Sequence, residues 1–90
     1  MSANDPNAIE DTIRSVLAGT LGLPPERVAA FDDDTGLFGS LPELDSMAVA
    51  GLLTEIEDRL DIIIDDDDVE GEMLESFGAL VRFAQSKLTA

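Results

Sequence analysis

The chain has 90 residues, of which 20 are acidic and five basic, so its formal net charge is −15, and it contains neither cysteine nor histidine. These absences exclude a disulfide framework, a thiolate or imidazole catalyst and the thiolate or histidine ligands of a zinc site. So strong a negative field repels nucleic acids and anionic membranes and attracts proteins with basic patches. Any chemistry must therefore rest on carboxylates, hydroxyls or a group added later.

The length and apolar content predict one small domain that spans residues 1–90. Apolar residues make up 44% of the chain, which is enough for a packed core, and the aromatic ones are four phenylalanines only. A core of Leu, Ile, Val and Ala favours packed helices. The first residues lack the basic start and apolar run of a signal peptide, and no stretch is apolar enough for a membrane span. We therefore expect a cytoplasmic protein.

The first helix is predicted over residues 6–18. Asp5 and Pro6 are typical of an N-cap followed by the first helical position, and Gly19 is typical of a helix end. An apolar face recurs at helical spacing in between. It comprises Ile9, Ile13, Val16 and Leu17.

A long connection follows over residues 22–42. Pro24 and Pro25 cannot continue a helix, and only residues 26–29 are predicted to form a short turn. Apolar residues recur through this connection and predict that it packs across the helix ends. They are Leu21, Leu23, Val28, Leu37, Phe38 and Leu41.

The most regular pattern begins at Leu44-Asp45-Ser46-Met47 and predicts a helix to about residue 60. Its apolar stripe comprises Val49, Leu52, Leu53, Ile56 and Leu60. The opposite side holds Met47, Gly51, Thr54 and Asp58, flanked by Glu55. Ser46 lies at the start of this helix, where its side chain need not enter the core.

The last third of the chain predicts a buried extended link, a short helix and a final long helix. Residues 61–64 resemble a strand but have no second strand to pair with. Residues 65–74 predict a short third helix with Val69, Met73 and Leu74 in the core. Ser76 is placed to cap the final helix. The apolar stripe of that helix comprises Phe77, Leu80, Val81, Ala84 and Leu88.

The acidic runs do not form a calcium-binding loop. Counted from Asp32, the fifth and sixth places hold Gly36 and Leu37, and counted from Asp66 the twelfth place holds Phe77. Neither pattern supplies the required ligands, so no metal site is predicted.

Ser46 is the remaining candidate for chemistry. It is not in a G-x-S-x-G motif, and no histidine can activate it. The residues around Ser46 leave two interpretations of this serine open. A helix N-cap is among the commonest roles of serine, and the positive end of a helix is also a favourable site for a covalently attached phosphate.

The sequence resembles the acyl carrier proteins over most of its length. The matching segments are Leu44-Asp45-Ser46-Met47, Glu57-Asp58-Arg59-Leu60, Ile62-Ile63-Ile64-Asp65-Asp66-Asp67 and Leu21-Gly22-Leu23-Pro24-Pro25. The resemblance implies an all-α fold, a small four-helix bundle of acyl-carrier type. Three helices would be longer and the third short, with a long loop between helices 1 and 2.

The resemblance also implies a carrier rather than an enzyme. Ser46 would accept 4′-phosphopantetheine from coenzyme A through a magnesium-dependent phosphopantetheinyl transferase, and Asp45 would orient the transferase or the arm. The thiol of the arm would hold acyl groups as thioesters in fatty acid or other lipid metabolism. Met47, Glu55 and Asp58 would contact basic or apolar residues of acyl-activating and acyl-transferring enzymes. The carrier would be a monomer.

Departures from the family suggest a specialised carrier. Common fatty-acid carriers have acids near the positions of Ala48 and Gly51, and proline at that of Ile64. The stretch around Ser46 is similar to carriers beside exopolysaccharide and exosortase systems. Two alternatives stay open. One is a peptidyl or aminoacyl carrier, although such carriers are usually less acidic. The other is an acidic helical interaction module in which Ser46 only caps a helix.

Overall fold

The structure, a computed structural model that describes residues 6–69 and 71–89, is built from four α-helices and two short 3₁₀ turns. The helices are α1 (Pro6–Leu21), α2 (Pro25–Ala29), α3 (Ser46–Leu60) and α4 (Phe77–Thr89), and the 3₁₀ turns are Asp66–Asp68 and Gly71–Leu74. The described residues include no strand beyond one isolated bridge between Gly36 and Ser76. The predicted all-α class is confirmed. The proposed N-cap Asp5 lies outside the described residues.

The core is apolar throughout the part of the chain that the structure describes, where no polar or charged side chain is buried. Helix α1 packs against both α3 and α4. Leu52, Leu53, Ile56 and Leu60 of the predicted α3 stripe are buried, while Val49 is half-buried. The buried face of α1 is also the predicted one. It comprises Ile9, Ile13, Val16 and Leu17.

Helix α1 continues three residues beyond its predicted end, so the prediction that Gly19 stops it is wrong. The chain leaves the helix at Gly22, whose φ of +68° is left-handed. The Leu23 N–H then donates to the Ala18 carbonyl at 3.0 Å. This is the hydrogen bond of a Schellman cap, in which glycine supplies the left-handed residue without a steric penalty. Gly19 stays helical because the left-handed residue that ends α1 is Gly22.

The long connection is tied to the start of α4 by backbone pairing, which the sequence did not predict. We call residues 33–38 the strap. The strap exchanges four hydrogen bonds of 2.8–3.1 Å with residues 74–78. Leu37 is buried, but Phe38 is 48% exposed, so its predicted burial is wrong. The Phe38 N–H is held by the Leu74 carbonyl, which leaves the Phe38 ring at the surface.

The predicted short third helix is replaced by the two 3₁₀ turns. The Asp68 carboxylate accepts the Asp65 N–H at 3.0 Å, a local side-chain to backbone bond that competes with helix formation. Met73 and Leu74 are buried as predicted, whereas Val69 is 40% exposed, which corrects its placement in the core. Ile63 is 73% exposed, so the link is only partly buried.

Helix α4 begins as predicted, with the Ser76 hydroxyl accepting the Ala79 N–H at 3.1 Å. Its first residue, Phe77, is buried under the Arg14 guanidinium, which lies 4.5 Å from the ring centroid. Arg14 also donates to the Val28 carbonyl and joins α1 to α2. Across the described ranges, no helix combines the length and apolar character that a bilayer crossing requires.

The close approach of Gly78 to the strap makes a prediction about stability. A Cβ at Gly78 would lie 2.9 Å from the backbone of Asp33, whereas a Cβ at Gly19 would meet nothing within 4 Å. Gly78→Ala should lower the free energy of unfolding by about 1–3 kcal/mol through overpacking. Gly19→Ala should raise it by about 0.5–1 kcal/mol because alanine favours the helix. Urea unfolding of both variants measures the two signs, and stabilisation by Gly78→Ala would contradict the strap contact.

Candidate functional site

Ser46 is the first residue of α3, and the residue before it makes the helix cap. Leu41 and Leu44 are buried and anchor the end of the connection. Asp45 is extended, with φ −98° and ψ −177°, and its Oδ1 accepts the Ala48 N–H at 2.8 Å. Asp45 is therefore the N-cap of α3. The alternative in which Ser46 only caps the helix is wrong.

The cap by Asp45 leaves the Ser46 hydroxyl free at the positive end of a 15-residue helix. Ser46 is exposed, and its Oγ makes no hydrogen bond with any residue that the structure describes. A free primary alcohol in this field suits a phosphate ester, since the unbonded N–H groups of the first turn favour negative charge. The chain offers no imidazole beside it, so a base must come from another molecule.

An apolar pocket of about 250 Å³ adjoins Ser46. It is lined by Phe38, Ser46, Val49, Val69, Gly71 and Leu74. The exposure of Phe38 and Val69 thus has a consequence at the site, because both side chains form a wall beside the serine. The sequence could not reveal this wall, since an apolar residue in a loop normally predicts burial.

The predicted partner contacts lie along one side of α3. Met47 follows Ser46 and is 86% exposed, and Asp58 is exposed eleven positions later, about 16 Å along the axis. Glu55 is half-buried and forms an ion pair with Arg59, with 3.3 Å between Oε2 and Nε. The structure therefore brings Met47 close to Ser46 and places the two acids towards the other end of the helix.

Two ion pairs hold the segments on either side of the site. Arg27 donates to Glu43 at 2.7 Å and lowers the pKa of that carboxyl. Lys87 donates to Asp68 at 2.8 Å. This bond lowers the pKa of Asp68, to which the Asp65 N–H also contributes, and raises the pKa of Lys87. The second pair fixes the turn that precedes Val69.

No cluster of three or more Asp or Glu side chains within residues 6–69 and 71–89 is arranged to hold a metal ion.

The role of Asp45 as a cap can be separated from its charge. Asp45→Ala removes the acceptor for the Ala48 N–H and should lower the free energy of unfolding by about 0.5–2 kcal/mol. Asp45→Asn keeps an acceptor oxygen and should cost far less. Urea unfolding with the amide exchange rate of Ala48 measures both effects. Equal losses in the two variants would show that the charge, not the hydrogen bond, stabilises α3.

The ion pair of Asp68 with Lys87 predicts a pH dependence. Because the folded pKa of Asp68 is lowered, its stabilisation is present above the ordinary aspartate pKa of about 4 and is lost as the pH falls through the lower folded value. Asp68→Asn should therefore be less stable than Asp67→Asn at neutral pH, and the difference should vanish in strong acid. Asp67→Asn is the control because it removes the same charge from an exposed side chain. Urea titrations across pH measure the difference, and a pH-independent gap would contradict the ion pair.

Comparison with known proteins agrees with this geometry. The family model described as phosphopantetheine attachment site matches residues 11–84. The chain is also similar to the holo acyl carrier protein of Nitrosomonas europaea, solved in solution by NMR, with 35% identity and a TM-score of 0.81. The match covers 91% of this chain and 96% of that one. A search of curated proteins gives no match.

These matches cover most of the chain, and the described helices have the arrangement of the solved carrier. Members of this family are generally carriers without catalysis of their own. The chain belongs to the acyl carrier proteins, which carry acyl groups on a 4′-phosphopantetheine prosthetic group.

Proposed function

We propose that Ser46 Oγ is the attachment atom for 4′-phosphopantetheine and that the protein presents the arm to partner enzymes. The observation that carries this proposal is the free, exposed hydroxyl at the N-terminus of α3, released from capping by Asp45. The group supplies a terminal thiol, which the chain itself lacks, to hold acyl groups as thioesters.

In the attachment step, Ser46 Oγ forms a bond to the phosphorus of coenzyme A that carries the pantetheine, and adenosine bisphosphate leaves. The proton of the hydroxyl passes to a base on the transferase, because this chain has no histidine to accept it. Asp45 Oδ2 accepts no hydrogen bond from the described residues and remains available to orient the transferase or the arm. The helix end then stabilises the phosphodiester.

The apolar pocket beside Ser46 is the proposed binding place for part of the acyl cargo. Its apolar lining, which includes Phe38, Val49 and Val69, begins at Ser46 itself, so an apolar group on the arm can fold back against it. Burial of apolar surface there contributes about 25 cal/mol per Å². An acyl group held in this way would be shielded until a partner draws it out.

The outer side of α3 is the proposed docking surface for those partners. Met47 offers an apolar contact beside the arm, and Asp58 offers a negative charge further along. Glu55 is paired with Arg59, and this ion pair holds its carboxylate close to the helix. Transferases and acyl-handling enzymes with basic patches would be steered to this surface by the net charge of −15.

The setting of this carrier is part of the same proposal. We propose one carrier domain over residues 1–90 that acts as a cytoplasmic monomer in fatty acid or other lipid metabolism. Ala48 and Gly51 leave the first turns of the docking surface without acids, which supports a partner set of its own. Association with exopolysaccharide or exosortase systems stays a prediction from resemblance.

The attachment site is tested by loading the protein with coenzyme A and a broad-specificity phosphopantetheinyl transferase. The intact mass should rise by one phosphopantetheine, and fragmentation should place the addition on Ser46. Ser46→Ala should remove the addition completely because no other oxygen occupies that position.

Ser15→Ala is the matched control, since Ser15 is exposed on α1 and does not line the pocket beside Ser46. It should load as fast as the wild-type chain. A modified Ser46→Ala protein, or a wild-type protein left unmodified while a control carrier is loaded, would refute the assignment.

A further inference from the structure

Ile63 is an exposed apolar side chain that does not line the pocket beside Ser46. Phe38 and Val69 line the pocket beside Ser46, and Met47 follows the serine. Ile63 is also exposed, to 73%, but it lies in the link after α3 and not beside Ser46. The 15 residues of α3 place this link about 21 Å from Ser46 along the helix axis.

The link has the alternation of a β-strand. Residues 62–65 form neither helix, turn nor bend. Ile62 and Ile64 are half-buried and pack against the core, whereas Ile63 and Asp65 are exposed. Side chains that alternate between the core and the solvent are typical of an extended chain. The alternating burial of this segment therefore agrees with its strand-like sequence pattern and indicates an extended edge.

The backbone of Ile63 faces away from α3. The Ile62 N–H donates to the Glu57 carbonyl at 3.2 Å, and the Ile64 N–H donates to Glu57 Oε2 at 2.8 Å. In an extended chain the polar groups of successive residues point to opposite sides. The N–H and C=O of Ile63 thus point outwards, and neither is bonded to a residue that the structure describes.

We propose that this link is a docking edge for an extended segment of a basic partner protein. One partner residue exchanges both of its backbone hydrogen bonds with Ile63 and lays an apolar side chain against the Ile63 side chain, as in β-strand addition. Asp61 and Asp65 are exposed two residues before and after Ile63. The segment that fits has the pattern basic, any residue, apolar, any residue, basic.

The charge of the protein selects this occupant over a second copy of the chain. Asp61 and Asp65 flank the edge, and Asp58 and Asp67 are exposed nearby in the sequence. A second copy would bring the same acids and a further net charge of −15 against them. A basic segment instead gains opposite charges on both sides of the apolar contact.

The edge is also held in place before a partner arrives. Glu57 fixes Ile62 and Ile64 to α3. At the other end, Asp68 accepts the Asp65 N–H and is itself bonded to Lys87 of α4. A segment fixed at both ends loses little conformational entropy when it is bound, which favours association.

The test uses the full-length Ser46→Ala protein, labelled with ¹⁵N, so that the result does not depend on the proposed attachment. The probe is the peptide Arg-Thr-Val-Thr-Arg, acetylated and amidated at its ends. Amide shifts should change within residues 61–65, with the largest change at Ile63. A peptide N-methylated at the central valine should bind about tenfold more weakly because it lacks one hydrogen bond.

Variants separate the edge from general charge attraction. Ile63→Thr keeps a β-branched surface residue and should weaken peptide binding about tenfold through the lost apolar contact. The double change Asp61→Asn with Asp65→Asn should weaken binding more than Asp11→Asn with Asp34→Asn, which removes the same charge from exposed sites elsewhere. Equal effects of the two double changes, equal binding of the N-methylated peptide, or self-association through this link would overturn the proposal.

Discussion

Repulsion among 20 acidic side chains is the constraint on which this structure depends. Within the described residues the core excludes every charge, so apolar packing must hold the helices together while the surface pushes them apart. Two of the five cations form ion pairs between distant segments. Arg27 joins α2 to Glu43 before α3, and Lys87 joins α4 to Asp68, over separations of 16 and 19 residues. They join the loops to the helices alongside the apolar contacts that the loops make with the core.

The same constraint shapes the proposed attachment site. A carboxylate at the start of a helix is stabilised by the helix dipole, so Asp45 caps α3 at a place where its charge is favourable. That leaves Ser46 exposed and without a bond to the described residues. The strap then brings Phe38 to the surface beside it through the hydrogen bond to Leu74. The chain contributes a placed hydroxyl and an apolar wall, and the prosthetic group contributes the sulfur.

What could be predicted from sequence is what depends on local chemistry. Both ends of α3 and its buried stripe follow from helical periodicity, and Ser76 follows from the preference for hydroxyls at a cap. The end of α1 does not, because Gly19 and Gly22 look alike until the backbone shows which is left-handed. The exposure of Phe38 depends on pairing with residues about 40 positions away, and no local pattern encodes that pairing.

The two ends of α3 present different kinds of surface, and this difference bears on recognition. In the proposed function the contacts at Ser46 change with the cargo, since an acyl group fills the adjoining pocket or leaves it. At the link the geometry is set by Glu57 and Asp68, neither of which lines that pocket. A partner that holds the protein by this end would thus bind loaded and unloaded forms alike. Identity would be recognised at one end of the helix and cargo at the other.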